Sequence, residues 1–154
     1  MVTMVGTQKS FIEAIKELIE LEYDAIGAYN SALNNLENPE YKKRFDEFKS
    51  DHEHHISELS DFLSRYNESA PKGPDNLKKL LLKGKVEIAS IFGDQNILRA
   101  MLSNEEDTNT AYERINGRVN ESTDSTIAEV ISKGLNDEKK HKEWLQNNVS
   151  QKKE

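Results

Sequence analysis

The stretch DHEHHISEL, from Asp51 to Leu59, holds three of the four histidines in a chain of 154 residues. The fourth, His141, stands in DEKKHKEWL, from Asp137 to Leu145. Laid over one another, the two stretches match at Asp51 and Asp137, at His55 and His141, and at Leu59 and Leu145. His52 stands where the second stretch has Glu138. Residues three apart share one face of a helix. His52 with His55, and Glu138 with His141, are therefore two pairs of ligating side chains, each aimed one way. Upstream of each pair lies a further matched stretch: EYDAIGAY from Glu22 to Tyr29, and EEDTNTAY from Glu105 to Tyr112. Both read Glu-x6-Tyr, with alanine before the tyrosine. The chain thus reads as two copies of one unit, each giving a carboxylate and then an i, i+3 pair. Carboxylates and neutral imidazoles suit iron, manganese or zinc.

Four long stretches of helical periodicity must position these residues. The first runs from about Ser10 to Leu36, with Phe11, Ile15, Leu18, Glu22, Ala25, Tyr29 and Ala32 in its seam. The second runs from about Pro39 to Tyr66 through Tyr41, Phe45, Phe48, His52, His55, Leu59, Phe62 and Tyr66. The third starts near Asp94, read as an N-cap after Gly93, and passes through Leu98, Met101, Glu105, Thr108, Tyr112, Ile115 and Val119. The fourth starts between Ser122 and Ser125 and passes through Ile127, Ile131, Gly134, Glu138, His141 and Leu145. Steps of three and four are those of bundle helices. Each seam is broken near its middle by an ionisable group, and such a group inside a bundle is costly unless paired or metal-bound. His52 and His55 are expected to point inward and His54 outward, with Asp51 at the flank. His52 is open between two roles: a ligand, or a core histidine hydrogen-bonded to Glu22 or Glu138.

Short connections make the first and last helix pairs antiparallel hairpins. A long connection, about residues 67–93, joins them. Within it LKKLLLKGKVEIASIF is read as a short amphipathic helix packed on the bundle. The expectation is an all-α four-helix bundle over residues 10–149, with residues 1–9 and 150–154 flexible. Apolar residues make up 35% and charged residues 32%, but their periodicity argues against disorder. A net charge of −7 argues against a nucleic-acid partner. The absence of cysteine excludes disulfides, thiolate zinc sites, iron–sulfur clusters and a rubredoxin-type module. No apolar run reaches membrane length and the N-terminus has no signal-peptide pattern, so a cytoplasmic location is expected.

Glu-x6-Tyr followed by Glu-x-x-His, given twice, resembles the ferritin-like di-iron carboxylate proteins, which include rubrerythrins and bacterioferritins. The resemblance covers residues 10 to 149 and is nearest to small bacterial ferritin-like proteins without an added redox domain. It implies terminal carboxylate ligands at Glu22 and Glu105, imidazole ligands at His55 and His141, and a bridging carboxylate at Glu138. It implies outer support of the glutamates by Tyr29 and Tyr112. His52 departs from the pattern, because it takes the place of the other bridging glutamate. Imidazole does not bridge in the manner of a carboxylate, and three carboxylates neutralise less metal charge than four. That favours a reduced, mixed or single-metal site, with Glu105, Glu138 and His141 the more complete half. The resemblance implies one or two ions per chain, iron foremost and manganese or zinc as alternatives. Iron oxidation, peroxide reduction or metal handling follows as the expected function, with oxygen or peroxide as partner. A helical scaffold that has lost its metal is the alternative. Glu53 stands where a bacterioferritin-like haem site would have methionine, so no haem is expected. No helix is read after Gln146, which argues against a storage cage, and a homodimer is compatible with the sequence.

Overall fold

The computed structural model describes residues 3–74 and 88–150. Four helices account for most of them: α1 (Phe11–Asn35), α2 (Pro39–Arg65), α3 (Asp94–Asn116) and α4 (Thr126–Asn148). Short 3-10 turns at Ile88–Ser90 and Val119–Glu121 precede α3 and α4, and the described residues contain no strand. The expected helix over LKKLLLKGKVEIASIF falls mostly on residues 75–87, outside the described residues.

Local chemistry sets the helix ends. The Ser10 hydroxyl accepts from the Glu13 amide to open α1. Asn38 caps α2, whose first residue is Pro39. Asp94 differs from the expected N-cap. It is the first residue of α3, behind Gly93 at φ +92°, and its carboxylate accepts the Glu37 and Asn38 amides. One side chain thereby fastens the start of α3 to the α1–α2 turn.

Side-chain pairs give the directions. Phe11 meets Phe62 edge-on and Tyr29 meets Phe45, so α1 and α2 run antiparallel. Tyr29 reaches Glu105 and Tyr112 reaches Glu22, so α1 and α3 are also antiparallel. Arg65 at the end of α2 bonds Asp124 and Thr126 at the start of α4, while Phe48 meets Trp144. Helices α2 and α3 therefore run the same way, which is why the chain between them must travel the length of the bundle.

Every sequence-predicted seam residue of α1 is buried, and the same holds for α4. In α2 and α3 only the outermost differ: Tyr66 is exposed, and Tyr41 and Val119 are partly covered. Apolar packing forms two clusters. One holds Ile15, Leu18, Leu59, Phe62 and Ile127. The other holds Phe45, Phe48, Leu98, Met101 and Leu145. Each fully buried side chain of this size contributes ~1.5–3 kcal/mol. The polar residues of the four seams lie between the clusters. Residues 3–6, expected to be flexible, are packed: Arg114 donates to the Thr3 and Val5 carbonyls and Arg118 to that of Gly6. Thr3 and Val5 are buried, and Gly6 (φ +97°) lies where a Cβ would meet Arg114 at 2.7 Å.

Candidate metal centre

The six predicted residues Glu22, His52, His55, Glu105, Glu138 and His141 converge midway along the bundle, and none is more than 2% exposed. They form two overlapping groups. Glu22, His52, His55 and Glu138 make one; His52, Glu105, Glu138 and His141 make the other. One ligating atom from each member lies within 4.8 Å of the rest of its group. His54 faces outward beside Glu58.

In the first group Glu22 contacts His52 Nδ1 at 2.9 Å and His55 Nδ1 at 2.7 Å. In the second Glu105 contacts His52 Nε2 and His141 Nδ1, both at 3.2 Å. Glu138 lies between them. Its Oε1 stands 3.3 Å from the Nδ1 atoms of His52 and His55, and its Oε2 stands 3.4 Å from His141 Nδ1. Neither Glu138 oxygen has a hydrogen bond. A sealed carboxylate held only by these long imidazole contacts is costly, and that cost identifies where a cation would be most favoured.

The separations test whether a cation fits. With metal–ligand bonds of ~2.0–2.2 Å, adjacent donors around a tetrahedral or octahedral ion are ~3.0–3.4 Å apart. The nitrogen–oxygen distances here run from 2.7 to 3.4 Å, close to that range. The outer nitrogens of two histidines fit as well. His55 Nε2 donates to Asp137 at 2.9 Å and His141 Nε2 to Asp51 at 2.8 Å. A carboxylate on the outer nitrogen presents the inner nitrogen to a cation, the usual arrangement for metal-bound imidazole. The donor set and its support thus suit a first-row divalent metal.

Electrostatics without a cation follow from burial and the mixed charges. Burial alone would push Glu22 up, but the His52 and His55 rings override it and bring the carboxyl down to about 2. Burial opposes protonation of His55, yet Glu22 and Glu138 hold it up to about 11. His141 is likewise held up to about 12 against burial by Asp51 and Glu105. Burial, reinforced by the Glu105 carboxylate, pushes Glu138 up to about 7. Protons on the imidazoles thus occupy the places cations would take.

Asp51, Asp137 and Asn109 support the site without a role assigned from sequence, while Tyr29 and Tyr112 were expected to support the glutamates. Asp51, placed at the flank, and Asp137 exchange partners across the repeat: each supports the histidine of the other half. Their equivalence in the aligned stretches was the available signal. Tyr29 and Tyr112 likewise cross over. Tyr29 donates to Glu105 at 3.0 Å and Tyr112 to Glu22 at 3.3 Å, not each to the glutamate of its own helix, because α1 and α3 run antiparallel. The Asn109 amide donates to the Glu105 and Glu138 carbonyls, tying α3 to α4 beside the site. Gly134 leaves room for the Tyr112 ring, where a Cβ would lie 2.5 Å from Cε1.

Comparison with known proteins places the fold. The structure is similar to that of Dps from Thermosynechococcus elongatus, with a TM-score of 0.75 and 14% identity over 92% of this chain and 91% of that one. It is equally similar, at TM-score 0.75 and 18% identity, to a protein from Bacillus anthracis str. Ames described as ferritin like, diiron-carboxylate. That match covers 97% of this chain and all of the other. No curated protein matches the sequence. At these identities the likeness is one of architecture: the ferritin-like four-helix bundle. Residues 10–117, more than half of the chain, match the family described as Domain of unknown function (DUF2383), and the protein belongs to that family.

Proposed function

We propose that this protein binds divalent transition-metal ions at the centre of its bundle and handles them there, with iron the foremost candidate. The observation that carries the reading is Glu138: a fully buried carboxylate with no hydrogen bond on either oxygen, faced by three imidazole nitrogens. The likeness to a protein described as diiron-carboxylate supports it. Glu22 and His55 would hold one ion, Glu105 and His141 another, and Glu138 would lie between. Bound iron would supply one-electron chemistry toward oxygen or peroxide. The chain's own contribution is to exclude water, to orient His55 and His141 through Asp137 and Asp51, and to hold Glu22 and Glu105 through Tyr112 and Tyr29.

A second reading has its own support. Three glutamates face three histidines, and imidazolium charges would neutralise the carboxylates without metal. His52 already bonds both Glu22 and Glu105. On that reading the bundle is a structural or interaction protein. Glu138 opposes it, since each imidazole nitrogen at 3.3 to 3.4 Å from it makes its shorter contact with another carboxylate, which leaves Glu138 the least satisfied of the three.

Thermal unfolding separates the readings. At pH 8, Glu138→Gln should stabilise the metal-free protein by ~1–3 kcal/mol, because it removes a buried charge without hydrogen bonds. Anaerobic iron(II), manganese(II) or zinc(II) should raise the Tm of the wild type and leave that of Glu138→Gln nearly unchanged. No shift for either protein would favour the structural reading, and equal shifts for both would place the bound ion away from Glu138.

A further inference from the structure

His55 and His141 each have a clear inner and outer nitrogen, and the outer one is held by an aspartate. His52 has no outer side. Its Nδ1 faces Glu22 at 2.9 Å and Glu138 Oε1 at 3.3 Å. Its Nε2 faces Glu105 at 3.2 Å, in the other group. The ring is fully buried, with Tyr29 and His141 against it at centroid distances of 5.4 and 5.1 Å. Both ring nitrogens are therefore directed at candidate ligands, and the two belong to different half-sites.

We infer that His52 is a two-sided ligand, giving Nδ1 to the cation held by Glu22 and His55 and Nε2 to the cation held by Glu105 and His141. The inference rests on the metal-binding reading and specifies how this chain manages without a second bridging carboxylate. An imidazole bridges through its two nitrogens, one to each ion, where a carboxylate bridges through two oxygens. Glu138 is placed to serve both ions as well, Oε1 on the His55 side and Oε2 on the His141 side.

The role has a signature that an ordinary ligand lacks, because a shared residue affects both ions. Manganese(II) titration of the purified full-length protein by isothermal calorimetry reads each ion separately. The wild type should bind two ions per chain. His55→Ala should weaken one of them and His141→Ala the other. His52→Ala should weaken both, each by tenfold or more. Circular dichroism checks that the variants fold. If His52→Ala does not, His52→Gln keeps most of the volume but can serve only one side, and it should retain one tight ion at most. Two tight ions in either His52 variant, or loss of a single ion in His52→Ala, would overturn the two-sided role. A wild type that binds one ion would overturn it also, while leaving the metal-binding reading intact. A wild type that binds none would remove that reading itself.

Discussion

A carboxylate sealed from water needs donors or a cation, and the imidazole neighbours of Glu138 stand 3.3 to 3.4 Å away, each in shorter contact with another carboxylate. The same residues can carry protons when metal is absent, and this fixes the sign of a pH effect. His55 and His141 are held up to about 11 and about 12 in the fold, against about 6.5 for a free imidazole. A raised group contributes stability that is complete below its unfolded pKa and lost as pH climbs through its folded one. The metal-free protein should therefore lose thermal stability between pH 6.5 and 10. Cations compete with protons for the same nitrogens, so metal affinity should rise over that range. Scanning calorimetry with and without chelator checks both, and parallel curves would contradict the account. The aspartates act through the histidines. Asp137→Asn should weaken binding of the ion beside His55, and Asp51→Asn that beside His141, each by ~10–100-fold in affinity with the fold kept. These residue roles were only partly legible. Ionisable breaks in apolar seams marked the six central residues, since few other reasons put glutamate or histidine there. Asp51 and Asp137 were visible as a repeat but not as partners, because one residue off the seam looks like surface until the neighbouring helix is in place.

Gly134 shows how an element is shaped around a site. Alanine is better by ~1 kcal/mol than glycine inside an exposed helix. Here the added Cβ would meet Tyr112 at 2.5 Å, displacing the ring whose hydroxyl reaches Glu22. Gly134→Ala should thus destabilise by ~1–3 kcal/mol, the usual cost of overpacking, as read from denaturant midpoints. A neutral or stabilising result would mean that the ring moves freely. The seam placed Gly134 inward from sequence, but only the packing of α3 on α4 gives it a reason. Helix starts were legible at Ser10 and Asn38, where the cap is local. At Asp94 the sequence showed an acidic residue after glycine. Its partners, the Glu37 and Asn38 amides, are remote in sequence, so its role of fastening two turns together was not legible. Asp94→Ala should cost ~1 kcal/mol by loss of both accepted amides, measurable by the same unfolding curves.

At the scale of the molecule, two similar hairpins are joined so that α1 opposes α3 and α2 opposes α4. That topology makes the support of the site reciprocal: Tyr29, Tyr112, Asp51 and Asp137 each serve a residue of the other half. The hairpins and the long connection were readable from periodicity and loop lengths, but the exchange depends on which helix ends meet. Among the described residues no helix is long and apolar enough to cross a membrane. The two apolar clusters hold the polar layer between them. The central claim is that this layer is a metal centre, and the direct measurement is metal content. Untagged protein, reloaded anaerobically with iron(II) and desalted, should carry two ions per chain by inductively coupled plasma mass spectrometry, and Glu138→Ala should lose them. A folded wild type that retains no iron, manganese or zinc after reloading would contradict the account.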